Sequence, residues 1–370
     1  MDAYDVFLRT VVFIIGVLGL LSFFRSILRV SVLNVQQRDG IASFAGRVTR
    51  IPIAYFARKQ TSYDGVQQIM GWGFPVFLIC LIAIYFIWVQ ISFTLLLWAV
   101  EIERGWLKNF IASGSALSTL GFATPTSSAG QLFAILEGAF GLGIIVFMFT
   151  FIPGYRQAVQ DREDFVGWMF ARIGLRPTPF SLVEWCQRED QGENVAPLMD
   201  RGEDWFRSLL DTHWLTPPLM FVPGIYSKKT WVGAAACTLD AAAFVLSSLN
   251  GKAQESARAC HQTGVAALRL LAEELNQSPL VNTSASEAPQ ELVAAFDAAY
   301  DKLAAAGLPM KPQRDECRKA FFELRSEYLG SVVKIAEATL MPLNEPWVVP
   351  QMVPGFGTTR GEFRPYSLGA

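Results

Sequence analysis

SGSALSTLGFATP, residues 113–125, lies between two long apolar runs. It has the order of a short amphipathic helix, then Thr119-Leu120-Gly121-Phe122, then a turn with Pro125. A polar, glycine-containing loop between two membrane-spanning helices is costly in lipid unless protein or a water-filled path surrounds it. Selectivity filters meet that cost by aiming backbone carbonyls at a permeating ion.

The flanks of this stretch read as spans. Thr10–Phe24 is apolar and bounded by Arg9 and Arg25, whose long stems can snorkel. Asp2 and Asp5 precede it and no small-residue cleavage site follows, which excludes a signal peptide. Gly71–Val100 is longer than a bilayer requires and is expected to tilt. Gln131–Ile152 forms the third span, with Pro153-Gly154 expected to stop it. Of the 370 residues, 52% are apolar and 17% charged, a balance too apolar for an ordinary soluble protein. Thr230–Leu249 is also apolar, but its central Asp240, many alanines and the Lys228-Lys229 flank point to a buried bundle helix.

Charge orients the chain. The connection after the first span carries Arg25, Arg29, Arg38, Arg47, Arg50, Arg58 and Lys59 against Asp39 and Asp64, so it is expected on the cytoplasmic side. The amino terminus is then outside a cell inner membrane and the long carboxyl half is cytoplasmic. Leu33–Asp64 reads either as an amphipathic helix on the inner surface or as a solvated loop. The formal net charge of −2 gives no sign of a nucleic-acid partner.

The loop chemistry favours a cation. Trp106–Thr119 reads as a short helix whose carboxyl end carries about −0.5 charge. Gly121 permits a backbone that other residues resist. The Thr119 hydroxyl can add an oxygen ligand, and Phe122 is expected to face outward as a cuff.

S-A-L-S-T-L-G-F followed by Pro and then G-Q-L-F-A-I-L-E-G-A-F-G-L-G resembles the pore loop and inner helix of the potassium-channel superfamily, in its bacterial two-helix-plus-pore-loop style. The resemblance covers roughly residues 95–155. It implies a homotetramer conducting K+ through one shared filter of Thr119, Leu120, Gly121, Phe122 and Ala123. It also implies filter support from Glu137 and a hinge at Gly141 or Gly143. Phe147 or Phe151, near the inner end, could form an apolar gate. Two positions depart from the family pattern: Ala123 replaces a second glycine and Thr124 replaces an acid. Ala123 is expected to distort the outermost ion site. A weakly selective monovalent cation pore and a non-conducting membrane sensor or scaffold are the alternatives.

The expected class is all-α: transmembrane helices with a re-entrant pore loop, plus an α-helical cytosolic bundle. The expected division is a first transmembrane helix (1–30), a basic connection (31–66), a pore domain (67–154), a cytosolic helical domain (155–341) and an extended or disordered tail (342–370). In the carboxyl half, Leu292, Phe296, Tyr300 and Leu303 repeat at helical spacing, as do Leu324, Tyr328, Val332 and Ile335. Trp214–Lys229 holds three prolines and reads as irregular. No Rossmann, P-loop or EF-hand pattern is present, so this half names no ligand or protein partner. The five cysteines show no C-x-x-C pair and read as reduced, buried thiols. Both histidines lie outside the membrane-facing sequence, so no nucleophile–histidine pair suggests an enzyme, and no cofactor is expected beyond the permeating K+.

Overall fold

A computed structural model describes residues 3–31, 39–60, 63–174, 179–190, 193, 195–225, 229–275 and 290–341. Among these the chain is almost wholly helical, with one isolated bridge, Leu249 to Met310, and no strand. The tail 342–370 lies outside the described residues, as does the Asn276–Ala288 connection. The chain divides into two compact units. Unit 1 holds Met1–Pro52 and Gly73–Arg156; unit 2 holds Ile53–Trp72 and Gln157–Ala370. The short segment before the second apolar helix therefore groups with the carboxyl-terminal half. Four helical stretches are long and apolar enough to cross a membrane: Ala3–Val30, Asp64–Ala99, Ser128–Ile173 and Trp231–Ser248. They mark a membrane protein.

Unit 1 is built on α1 (Ala3–Ser31) and α4 (Gly73–Ala99), which run antiparallel. Arg9 pairs with Glu101 and lies over Trp98 at one end. At the other end Ser26 bonds Tyr85 Oη at 2.9 Å. Between them, Gly16 and Gly19 sit against Leu96 and Ser92 so closely that a Cβ would collide. Small residues at such seams let helix backbones approach, which is the main source of packing energy between spans. Asp39 starts α2 (Gly40–Arg58) by accepting the Ala42 amide at 2.8 Å, and its carboxylate also accepts Ser26 Oγ at 2.7 Å. Leu33–Asp64 thus contains an amphipathic helix, and a nine-residue α3 (Tyr63–Gly71) follows it.

The third apolar run does not stop at Pro153. Helix α6 is continuous over Ser128–Ile173, 46 residues, with Pro153 inside it. This corrects the expected break at Pro153-Gly154. Proline removes one backbone donor, and helices in apolar surroundings tolerate that loss when hydroxyl side chains and neighbours rebalance the turn. Thr150 Oγ1 bonds the Phe147 carbonyl at 2.9 Å in the preceding turn. Phe151 and Tyr155, on either side of the proline, stack on Phe74 of α4.

Unit 2 is a helical bundle around α9 (Trp231–Ser248). Thr230 caps α9 by accepting the Gly233 amide at 2.9 Å. Almost every α9 residue is buried, and its alanines let α8 (Val195–Leu215), α10 (Ala253–Glu274) and α12 (Arg314–Thr339) close around it. The remaining helices are α7 (Ser181–Asp190) and α11 (Gln290–Ala305), and residues 217–221 form one 3-10 turn inside the stretch expected to be irregular. The expected stripe Leu292, Phe296, Tyr300 and Leu303 is buried, and so are Tyr328, Val332 and Ile335. Asp240 is not a solvent breach: Arg325 Nε donates to it at 2.9 Å and Tyr328 Oη at 2.5 Å.

Arg162 and Glu163, both buried, fasten residues 219–225. Arg162 donates to the carbonyls of Leu219 and Val222 at 3.2 and 3.1 Å, and Glu163 accepts the Ile225 amide at 3.0 Å. Arg162 also meets His213 Nε2 at 3.4 Å. Arginine only donates, so that nitrogen must keep its lone pair and the ring is neutral. Burial, then Arg162, pushes the His213 pKa down from 6.5 to about 3.

Two outcomes follow for stability of the full chain in detergent. Arg325→Met strands a buried carboxylate and should lower the unfolding free energy by about 3–5 kcal/mol, with much of it restored by adding Asp240→Leu. Equal losses in the single and double variants would contradict the pairing. His213 binds its proton below pH 6.5 only when unfolded, so stability should fall as pH drops from 6.5 toward 3. His213→Gln should flatten that part of the profile, read as melting temperature against pH.

Candidate functional site

Helix α5 (Trp106–Leu117) is short and wedged between α4 and α6. Gly105, at φ 94°, turns the chain into it. Asn109 is fully buried and ties that turn: its Nδ2 donates to the carbonyls of Glu103 at 2.9 Å and Gly105 at 3.0 Å. The Leu117 carbonyl abuts Gly141, thirteen residues past the start of α6 and therefore about 20 Å along it. Ile102 and Pro125, before and after this hairpin, both contact Gly130 at the start of α6. Segment 102–130 therefore leaves and returns at one end of α4 and α6, while its middle touches α6 well down its length.

The loop after α5 is organised by its amides. Thr119 N–H donates to the Ala116 carbonyl at 3.0 Å. Leu120 and Gly121 N–H both donate to the Ser115 carbonyl, at 3.1 and 3.2 Å. Ala123 N–H donates to Ser115 Oγ at 2.9 Å. Thr119 and Gly121 have φ of 60° and 68°, on either side of Leu120. A β-branched residue in the left-handed region costs on the order of 1–3 kcal/mol, so the bonds to α5 must hold it there. No hydrogen bond to the carbonyls of residues 119–123 occurs among the described residues. Leu120 and Phe122 are 71% and 70% exposed in the single chain.

Ala123, expected to distort a backbone suited to glycine, is not at positive φ. The left-handed positions are 119 and 121, and Ser115 Oγ anchors residue 123 without demanding glycine.

Behind the loop, three helices meet at Ser113. Its hydroxyl bonds the Gln90 carbonyl of α4 at 3.1 Å and the Glu137 carboxyl of α6. Glu137 is fully buried, and its Oε2 has no hydrogen-bond partner. It is therefore no headgroup-level carboxylate; it braces the helix that carries residues 119–123.

Gly141 is required for packing, because a Cβ would strike the Leu117 backbone; Gly143 meets nothing within 4 Å. Helix α6 runs unbroken through both. Phe147 is buried against Tyr85, with ring centroids 6.2 Å apart, and Phe151 stacks on Phe74, so both aromatics point at α4 of their own chain. Leu142, Ile145, Val146 and Phe149 are the neighbouring α6 side chains left exposed.

The structure adds Asn109, Ser115 and Gln90 to the residues that shape the loop. Only Asn109 carried a signal in the sequence, as a polar residue four positions before Ser113 on the same short helix. Among the described residues no His/Cys/Asp/Glu group could hold a metal ion. No family model, curated protein or solved structure matches this chain.

Glu137→Gln keeps a carbonyl acceptor for Ser113 Oγ and should leave thermal stability within about 0.5 kcal/mol, whereas Glu137→Ala should cost about 1–3 kcal/mol by opening a buried gap beside α5. Thermal unfolding of the purified protein reads both. Equal costs for the two variants would show that neither side-chain volume nor a retained hydrogen bond, but the carboxyl group itself, is what Glu137 supplies.

Proposed function

We propose that the chain is a multi-pass membrane protein that conducts monovalent cations, K+ above others, through a filter made by the main-chain oxygens of Thr119, Leu120, Gly121 and Phe122. One observation carries the reading: four amides of the loop are committed to the last turn of α5, while its carbonyls have no partner among the described residues. Unpartnered carbonyls between apolar helices need a ligand, and a dehydrated cation supplies one. The loop of one chain cannot surround an ion, so the reading calls for four chains around one axis. The exposure of Leu120 and Phe122 is what such an assembly would cover. The return of segment 102–130 to its starting end fits a re-entrant loop, and Glu137 with Ser113 acts as its brace.

In this reading the amino terminus is outside the inner membrane and unit 2 is cytoplasmic, where it holds the tetramer or senses a partner. The arginines between the first and second spans support that orientation. Weak selectivity is the second reading, favoured by Thr124, which leaves the outer mouth without a carboxylate.

The test is ion flux into vesicles carrying the purified protein, with potassium or sodium outside and barium as blocker. Potassium flux should exceed sodium flux and be stopped by barium. Gly121→Ala should cut flux at least about tenfold, the factor that corresponds to ~1.4 kcal/mol of backbone strain, with insertion unchanged. Undiminished flux in that variant would remove the filter assignment.

A further inference from the structure

We propose that α2 is a docking helix for an anionic bilayer surface, lying flat at the interface with its apolar stripe among the acyl chains and its arginines on acidic headgroups. The proposal requires a membrane-spanning chain but no ion conduction.

Helix α2 has two contrasting sides. Phe44, Val48, Ile51 and Tyr55 are all exposed, Ile51 to 70%. At 100° per residue these four fall within an arc of about 60°. The opposite side carries Ala45, Thr49 and Ala57, which are small and buried, and near the end of the helix Phe56, which is exposed. The exposed stripe is therefore not the face that packs on the protein, and four large apolar side chains in water are a standing cost. Arg47 and Arg58 border the stripe on one side, Arg50 lies beyond Arg47, and Lys59 borders it on the other, with its Nζ 4.1 Å from the Tyr55 ring centre. From Gly40 to Arg58 there is no acidic residue.

An apolar stripe bordered by cations only is the pattern of a helix that lies in the plane of an anionic leaflet. A protein groove would accept the stripe but gives no reason for uniformly positive borders. The position in the chain points the same way. Helix α2 sits between α1 and α4, two helices long enough to span, so the bilayer is the apolar phase already within reach. Tyr55 is of the type that settles at headgroup level.

The test uses the full-length protein in vesicles, labelled with a nitroxide in Phe44→Cys, Ile51→Cys and Tyr55→Cys on a Cys80→Ser background; the other native cysteines are buried. Glu273→Cys, at an exposed site, serves as the water reference. In phosphatidylcholine mixed with phosphatidylglycerol, oxygen should relax the three α2 labels more than a water-soluble nickel chelate does. In phosphatidylcholine alone, or with Arg47→Gln and Lys59→Gln, the preference should move toward the chelate. Chelate preference in both lipid mixtures would overturn the docking. Oxygen preference that ignores headgroup charge would overturn the anionic part. Spin–spin broadening between labels without oxygen preference would assign the face to a second copy and overturn the proposal.

Discussion

Every backbone donor and acceptor placed among apolar helices has to be satisfied locally, because lipid offers no water. Unit 1 is arranged around that constraint. Its long helices satisfy their own backbones, and α5 with the loop after it is the exception. There the amides of residues 119, 120, 121 and 123 fold back onto Ala116 and Ser115, and Thr119 and Gly121 turn left-handed to reach them. The amides are used up within the chain, while the carbonyls of residues 119–123 have no hydrogen-bond partner among the described residues. The same geometry explains why Gly141 cannot carry a side chain and why Ser113 is held from both sides, by Gln90 and by Glu137.

Unit 2 solves the opposite problem, a polar group in the middle of an apolar helix. Asp240 would be prohibitive in α9 without Arg325 and Tyr328. That arrangement separates α9 from the other apolar helices: it meets the length and composition of a span, yet its surface is covered by its own unit. The Arg162–Glu163 pair does comparable work at 219–225, replacing the missing ladder of an irregular segment with side-chain bonds to backbone carbonyls and one amide.

Much of this was legible in the sequence because it rests on local pattern. The runs at 71–100 and 131–152 are legible from their length and apolar composition, and the buried stripe from Leu292 to Leu303 falls where 3.6-residue spacing puts it. What escaped is what depends on neighbours. Pro153 looks like a stop until Phe74 is seen stacked across the turn that contains it. Ala123 looks strained until Ser115 is seen holding its amide. The burial of Glu137 follows from the depth to which α5 inserts, and no local pattern reports that depth. The grouping of Ile53–Trp72 with the carboxyl-terminal unit is equally non-local, since residues such as Val66 and Met70 pack with Leu340, far along the chain.

The central claim is that peptide oxygens of residues 119–122 replace an ion's water. The most direct measurement is electron cryomicroscopy of the full-length protein in lipid with thallium substituted for potassium. The account expects four chains around one axis, with ion density on that axis level with the carbonyls of Thr119 to Phe122. A monomer, or a loop whose carbonyls face away from any shared axis, would contradict it.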